Sequence, residues 1–434
     1  MTTMAAAQAP RRIPLRSVAS WVLYDLANTA FSLGVVTLYF PQFLKARFGA
    51  TDAQIGVYDA VAMALIFVSA PVLGAISDQL PRRIPMLALT TVLCVACTFL
   101  LGVEALPLVV LLFIAANYTF QAGLIVYDSL LPEVSTDETR GRVSGIGVGV
   151  GYVGSILAII AGTLILPEDR DAATADQWQW VFRAIAATFL VFAIPAFLFV
   201  QERRRVVPPL GPAVVGRAFG DVVRTVGRLR GYPGLLRFLL GRAIYADAAN
   251  TLVFFVAIYA TDELGFSIGG ASRLAIVSIV CAVVGGLAWG VAVDRFGPRA
   301  TLLTVLGLWI AVFATTVAIP VLDLPEELLW VVAGAIGVAL GGTWASDRPF
   351  MARLSPPRYF GQAYGLYAMV GRFAAIVGPL LWGLVADVLG FGRPAAVATL
   401  LVLVVVAFLV IRGVSDAPRA WGPDELPELE PAAA

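Results

Sequence analysis

The sequence predicts an all-α membrane protein: twelve transmembrane helices arranged as two pseudo-symmetric six-helix bundles. Three observations predict it. Of the 434 residues, 59% are hydrophobic and only 14% charged, whereas a soluble domain carries about 25% charge. Apolar runs of about 20 residues, each long enough to cross a hydrocarbon core, recur along the whole chain. Finally, polar residues inside those runs repeat at a nearly constant offset.

Residues 1–17 carry Arg11, Arg12 and Arg16 with no separate apolar core before a cleavage site, so they read as a cytoplasmic N-terminal tail. Six spans follow, at 18–43, 53–77, 84–103, 108–131, 142–166 and 179–200. Residues 201–236 form a cytoplasmic linker. Within it Val215, Phe219, Val222, Val226 and Leu229 recur at helical spacing with Arg217, Arg224 and Arg228 interleaved. That pattern suits either a helix lying on the inner membrane face or an ordinary surface linker. Six more spans fall at 237–261, 269–293, 299–321, 328–352, 360–389 and 394–412. The last residues, 413–434, are rich in Pro, Glu and Ala and read as a disordered cytoplasmic C-terminal tail. The expected domains are thus the tail 1–17, a bundle over 18–200, the linker 201–236, a bundle over 237–412 and the tail 413–434.

Arginine sets the orientation. Arg82, Arg140, Arg203, Arg295, Arg353 and Arg412 occupy alternate connections, and the opposite loops hold Glu168, Asp169, Glu263, Glu326 and Glu327. The positive-inside rule then puts both termini in the cytoplasm, at the inner membrane if the cell is bacterial. Trp21, Trp178, Trp180 and Trp330 lie near predicted helix ends, where indoles anchor at headgroups.

Several function classes are excluded. A net charge of +1 leaves no nucleic-acid footprint. The chain has no histidine, and its one lysine, Lys45, falls in an outer loop. Neither an HExxH zinc site nor a Ser/Lys dyad can be built, so no enzyme, metal or cofactor is expected. Cys94 and Cys97 match C-x-x-C but lie in an apolar run without the soluble context of a redox motif, and read as packing residues. Gly149, Gly151 and Gly154 match G-x-G-x-x-G, yet no strand precedes them. With Gly145 and Gly147 they read as a close-packing helix face, for which Gly285, Gly286 and Gly290 are suitable partners.

The repeat is specific. Asp25, Ala27, Asn28 and Thr29 recur as Asp247, Ala249, Asn250 and Thr251, 222 positions on. Gly74, Asp78, Arg82 and Arg83 are echoed by Gly290, Asp294, Arg295 and Arg299, with the aspartates 216 apart. Asp128 matches Asp347 at 219, and Gly141, Gly145 and Gly151 match Gly361, Gly365 and Gly371 at 220. Parallel six-helix halves around a central cavity are an architecture of rocking secondary transporters.

The two loops Gly74–Arg83 and Gly290–Arg299 resemble those of the major facilitator superfamily, a glycine with an aspartate four residues on and then basic residues. More narrowly, WVLYDLANTAF at 21–31, YDSLLPE at 127–133, GRVSG at 141–145, GQAYGLY at 361–367, and Gly341-Gly342 with Arg348 resemble the UMF1/Atg22-like branch. The resemblance implies a transporter, and in its eukaryotic branch amino-acid efflux from vacuoles. Two departures stand out. Trp344, Asp347 and Pro349 occupy positions where the family commonly has a glutamine and two serines, and the fifth helix lacks the Gly-Pro pair of drug–proton antiporters.

The expected function is secondary active transport of a small polar solute, an amino acid or related metabolite, by rocker-switch alternating access. Export and proton coupling are options. The alternatives are a drug or cation exporter of the same fold, and a non-transporting membrane sensor. The expected partners are the lipid bilayer, the solute and a coupling proton, with the chain a monomer.

Asp25, Asn28, Thr29 and Ser32 share one helix face, and an aspartate near a helix centre costs about 2.5–3.5 kcal/mol unless paired. Asp25 and Asp247, with Asn250 and Thr251, either line the solute route or pin helices through Arg348 or Arg372. A carboxylate paired with arginine stays ionised and is a poor proton carrier. Asp128 and Asp347 are candidates for a gate or for substrate contact. Arg348 and Arg372 would grip a substrate carboxylate or a neighbouring aspartate. Tyr24, Tyr127 and Tyr367 line the cavity or simply pack. Asp78 and Asp294, with Gly74, Gly290, Arg82, Arg83, Arg295 and Arg299, read as a cytoplasmic latch in which a carboxylate faces a helix N-terminus and pairs with arginine.

Overall fold

A computed structural model describes residues 13–207, 220, 232, 234–263, 266–417 and 419–429. Twelve rods account for most of them: α1 (Leu15–Phe48), α2 (Asp52–Asp78), α3 (Ile84–Phe99), α4 (Leu106–Ser129), α5 (Arg140–Ile165), α6 (Ala175–Phe199), α7 (Leu235–Ile258), α8 (Ile268–Phe296), α9 (Pro298–Val321), α10 (Leu328–Leu354), α11 (Phe360–Gly383) and α12 (Gly392–Arg412). Eleven are long and apolar enough to cross a membrane, and α3 is a shorter apolar helix.

Helix ends follow local chemistry. Thr51 and Thr174 each form a reciprocal capping box at the start of α2 and α6. α1 runs five residues past its expected end and stops at Gly49, whose φ of 60° is left-handed. α3 stops at Phe99, four residues short of the expected 103. The cause is Gly102 at φ 91°, packed so closely on α6 that a Cβ would stand 2.7 Å from Gln179 Cγ.

α1–α6 and α7–α12 form the two halves, with α2 lying against α11 and α5 against α8 between them. Glycine makes that approach possible: a Cβ on Gly145 would stand 2.6 Å from Gly290 Cα, and one on Gly365 would stand 2.5 Å from the Ala70 carbonyl. The glycine-rich motif of α5 therefore makes helix contacts on two sides: Gly145 and Gly149 face α8, where Gly286 and Gly290 are the partners, Gly147, Gly151 and Gly154 face α1, and Gly285 packs instead on Val338 of α10. The expected headgroup role fails for Trp21 and Trp178, at 1% and 0% exposed. Trp21 stacks on Tyr127 at 4.5 Å and donates to its carbonyl at 3.2 Å, so burial in the bundle is what its indole serves.

Three rods change winding at the same end of the molecule. α1 is π-helical over Ser32–Tyr39, and α7 and α11 continue as π segments over Tyr259–Glu263 and Leu384–Val388. At the other end, the segment after α12 is laid across both halves instead of hanging free. Arg353 meets Asp416 at 3.8 Å, Arg358 donates to the Asp424 carbonyl at 3.5 Å, and the Val206 N–H donates to the Glu428 carbonyl at 2.8 Å. Backbone pairing beside Arg205 gives a Pro- and Glu-rich stretch a place to dock. The amphipathic stretch expected over Val215–Leu229 lies outside the described residues apart from Gly220.

Candidate functional site

Two carboxylates join the halves at the arginine-rich end. Asp78 ends α2 and accepts the N–H groups of Gly361 and Gln362, each at 2.8 Å, from the first turn of α11. Helix starts leave such N–H groups unsatisfied and partly positive. The same carboxylate holds Arg83 at 2.5 Å and Arg205 at 3.5 Å. Asp294 ends α8 and accepts Gly141 N–H at 2.7 Å and Arg142 N–H at 3.2 Å from the start of α5, with the Arg142 Nε at 2.6 Å. Each aspartate thus caps a helix of the opposite half. Only glycine fits there: a Cβ on Gly74 would collide with the Gly361 carbonyl, and one on Gly141 would stand 2.6 Å from Asp294 Oδ1. Gly290 is equally tight against the Gly141 carbonyl, at 2.8 Å.

The arginines divide differently from the sequence expectation. Arg83 is buried on Asp78, but Arg82 and Arg295 are exposed, and Arg295 rests over the Phe296 ring at 5.4 Å. Arg299 donates to the Arg412 carbonyl at 2.5 Å. Arg205 and Arg142 take their places. Glu202 completes the first latch, accepting the Ile84 N–H at 3.1 Å and Arg205 at 3.3 Å. Burial pushes the Glu202 carboxyl above its ordinary value, although Arg83 and Arg205 pull the other way. Burial and the neighbouring Arg83 push Arg205 down to about 10.

Between the halves lies a cavity of about 400 Å³. Along α1 it is lined by Asp25, Asn28, Thr29, Ser32, Leu33 and Thr37. That is thirteen residues, about 18 Å of helix from first to last, leading away from the latches. Thr37 is exposed, so the cavity opens at the end with the π segments. Asp128, Tyr152 and Ser155 line it from the first half, and Arg242, Asn250, Trp344, Arg348, Tyr367 and Arg372 from the second.

At its deep end Arg348 crosses the gap between halves. Its Nη1 and Nη2 reach the two Asp25 oxygens at 2.9 and 3.3 Å, and its Nε lies 3.1 Å from Asp128. Arg242 lies 3.2 Å from Asp347, donates to the Tyr367 carbonyl at 3.0 Å, and sits 3.4 Å above the Tyr367 ring. Asp347 is fully buried and stands behind the wall.

The repeat is broken where the charges are. Asp247 does not line the cavity but accepts the Gly378 N–H at 2.6 Å, and Thr251 is buried against the same glycine. Its difference from Asp25 has a simple source: the position equivalent to Arg348 is Ser129, so no arginine faces Asp247 from α4. Likewise Arg242 and Arg372 correspond to Ser20 and Tyr152. All three guanidinium groups of the cavity come from the second half. Tyr24 and Tyr127 pack inside the first half, stacked at 5.0 Å, with Tyr24 Oη 2.6 Å from Thr91 Oγ1. Gly151 and Gly371 are the matched thin points of the wall, facing Thr29 and Arg242.

Sequence reasoning missed Arg242, Arg142, Arg205 and Glu202. Arg242 was hidden among arginines read as an orientation signal, although it stands only five residues before Asp247.

Residues 48–420 match the family described as vacuole effluxer Atg22 like. The chain is 28% identical over 411 residues to the uncharacterized MFS-type transporter YxiO of Bacillus subtilis, covering 92% of this chain and 94% of that one. It is 27% identical over 276 residues to autophagy-related protein 22 of Coccidioides immitis, covering 58% of this chain but only 45% of that longer protein. Among solved structures, the human organic anion transporter MFSD10 superposes with a TM-score of 0.71 at 16% identity, covering 91% and 99% of the two chains. An outward-facing bacterial homologue of the iron transporter ferroportin gives 0.71 at 16% identity, covering 93% and 99%. These likenesses establish the major facilitator fold, a multi-pass membrane architecture with two halves about a central cavity. With the family pattern extending from the end of α1 to the tail beyond α12, the chain belongs to the vacuole effluxer Atg22-like family of major facilitator transporters.

Proposed function

We propose that this transporter carries a small polar solute by alternating access, with the solute bound in the central cavity and the two aspartate latches holding the arginine-rich side shut. The observation that carries the reading is the pairing of a polar cavity, open at one end, with cross-half caps at the other. Opening the closed side requires Asp78 and Asp294 to leave the helix starts they cap. With the arginine-rich side taken as cytoplasmic, the cavity faces the opposite side.

An amino acid or related metabolite is the solute class we put first. A drug or cation exporter fits less well, because both cavity-lining aspartates are engaged by Arg348. Coupling to protons assigns the proton to Asp247, whose single hydrogen bond among the described residues is to Gly378. The test is uptake and efflux in proteoliposomes across a metabolite panel, with and without a pH gradient. Movement of a solute in either direction supports transport, and movement of none refutes it. Loss of gradient-driven accumulation in Asp247→Asn with exchange retained supports coupling there; unchanged accumulation refutes it.

A further inference from the structure

α3 is too short for its place. Its 16 residues, Ile84–Phe99, rise about 24 Å, against about 30 Å of hydrocarbon. The missing length lies on the side opposite the latches, because α3 starts beside the Asp78–Arg83 pair. A bilayer meets a short helix by thinning, so lipid headgroups on that side come down toward Phe99.

Arg183 of α6 stands at that level. Its guanidinium carbon lies 5.2 Å from the centre of the Phe99 ring and 5.5 Å from that of Trp180, and Trp180 is 59% exposed. Its Nη2 donates to Gln179 Oε1 at 2.8 Å. Among the described residues it has no ion pair, and its Nε has neither an acceptor nor access to solvent. The acid on its own helix face, Asp176, is exposed and two turns outward, and Glu104 of the α3–α4 turn is taken by Arg47. An arginine that only snorkels carries its charge into water, whereas this one rests over an aromatic ring at the lipid face. An uncompensated cation in a span is costly, and a guanidinium fork matches the oxygens of a phosphate.

A second feature begins at the same ring. A lateral groove of about 340 Å³ is walled by Val92, Val95, Ala96, Phe99 and Leu100 on α3 and its end, and by Leu190 on α6. Every wall residue is apolar, so water finds no partner there and the groove suits hydrocarbon. Phe99 belongs to both features. From Phe99 to Val92, and from Arg183 to Leu190, is seven residues on each helix, about 10 Å, and both lead from the guanidinium toward the middle of the membrane. A charge suited to a phosphate thus stands at one end of a slot suited to an alkyl chain, in the order in which a lipid carries them.

We infer that the slot between α3 and α6 is a phospholipid site, in which Arg183 holds the phosphodiester of one lipid from the leaflet opposite the latches and an acyl chain of that lipid lies in the groove. The bound lipid supplies the apolar cover that α3 is too short to give. The phosphate is what the site recognises, so a lipid without one, such as diacylglycerol, leaves the arginine unanswered.

The experiment counts lipids bound to the purified full chain by native mass spectrometry. The chain is titrated with phosphatidylethanolamine, phosphatidylglycerol or diacylglycerol of the same acyl chains, each with and without inorganic phosphate. The wild type should keep one phospholipid at concentrations where further adducts are absent, and should bind diacylglycerol at least tenfold more weakly. Arg183→Gln should weaken that first phospholipid at least tenfold, Arg183→Lys should keep part of it, and Ala96→Phe, which fills the groove, should weaken it with the charge intact. Thermal unfolding separates a ligand from a structural role: phospholipid should raise the wild-type midpoint and leave that of Arg183→Gln unmoved. If Arg183→Gln does not fold, Ala96→Phe and the diacylglycerol comparison decide. The inference is overturned if diacylglycerol binds as tightly as the phospholipids, if inorganic phosphate displaces the lipid, if no phospholipid is retained, or if both folded variants keep the wild-type lipid count and midpoint shift.

Discussion

Replacing Asp78 with asparagine tests what holds the arginine-rich side shut. In the closed arrangement the carboxylate receives two N–H groups from α11, both at 2.8 Å, while Arg83 of its own half and Arg205 of the linker flank it. Only the first two bonds break when the halves part. A hydrogen bond to a charged group contributes about 1.5–3 kcal/mol. Asparagine keeps one acceptor oxygen, turns an N–H toward another donor, and removes the charge that faces the helix start. The closed side should therefore lose about 2–3 kcal/mol relative to the open one, a roughly 30- to 150-fold shift in their ratio. The assay uses a background lacking Cys94, Cys97 and Cys281, with Ser155→Cys on the cavity wall, and a membrane-impermeant maleimide applied from each side. Labelling from the arginine-rich side should rise by at least tenfold in Asp78→Asn. Asp294→Asn should give a smaller rise, because its partner Arg142 is 54% exposed and water already screens that pair. Unchanged labelling from that side in Asp78→Asn would refute the idea that the capped helix start is the lock.

Three further outcomes are expected. Gly145→Val places methyl groups where Gly286 and Gly290 backbone now lies, so the halves cannot close at that end and the Ser155→Cys probe should label mainly from the arginine-rich side, with the detergent-solubilised protein still folded. Arg348→Gln leaves Asp25 and Asp128 buried without their partner, a loss of about 3–5 kcal/mol for breaking a buried pair; thermal unfolding should fall clearly, and Arg348→Lys should recover only part, since one ammonium cannot span both carboxylates. For Glu202 the sign follows from burial raising its carboxyl above the ordinary 4.5: its contribution to stability is present below pH 4.5 and is lost as pH rises through the raised folded value. The wild-type unfolding midpoint should therefore decline from pH 4.5 toward neutrality more steeply than that of Glu202→Gln, and parallel curves would refute the assignment.

Much of the fold was legible because membrane insertion penalises polar residues, so those that remain inside apolar runs carry meaning. The echo of Asp25 at Asp247 and of Asp78 at Asp294 marked the two halves. Their contacts were not legible, because a repeat relates each half to itself while the caps run crosswise. Gly141 and Gly361 stood in the sequence as a matched pair, but only the structure shows that Asp294 caps the first and Asp78 the second. The repeat also misleads at Asp247: sequence symmetry equates it with Asp25, and the substitution of Ser129 for an arginine removes the partner that draws Asp25 into the cavity wall. Arg205 and Glu202 escaped notice because a linker arginine has many roles, and nothing local reveals that the chain folds this one back beneath Asp78.

The π-helical segments of α1, α7 and α11 give the mouth of the cavity a mechanical property of its own. A π turn stores one residue more than an α turn. Rewinding it by a single step rotates whatever lies beyond by about 100° and slides it by about 1.5 Å along the axis. Ladder bonds exchange one at a time and the rod never breaks. In α1 such a screw motion would have to lift Phe40, Phe43 and Leu44 out of the first half's core, where Phe40 stacks on Phe113 at 3.6 Å, while Leu15–Phe31, with Asp25 still on Arg348, stays where it is. Winding at the mouth is thus tied to the packing of the first half and cannot proceed without loosening it.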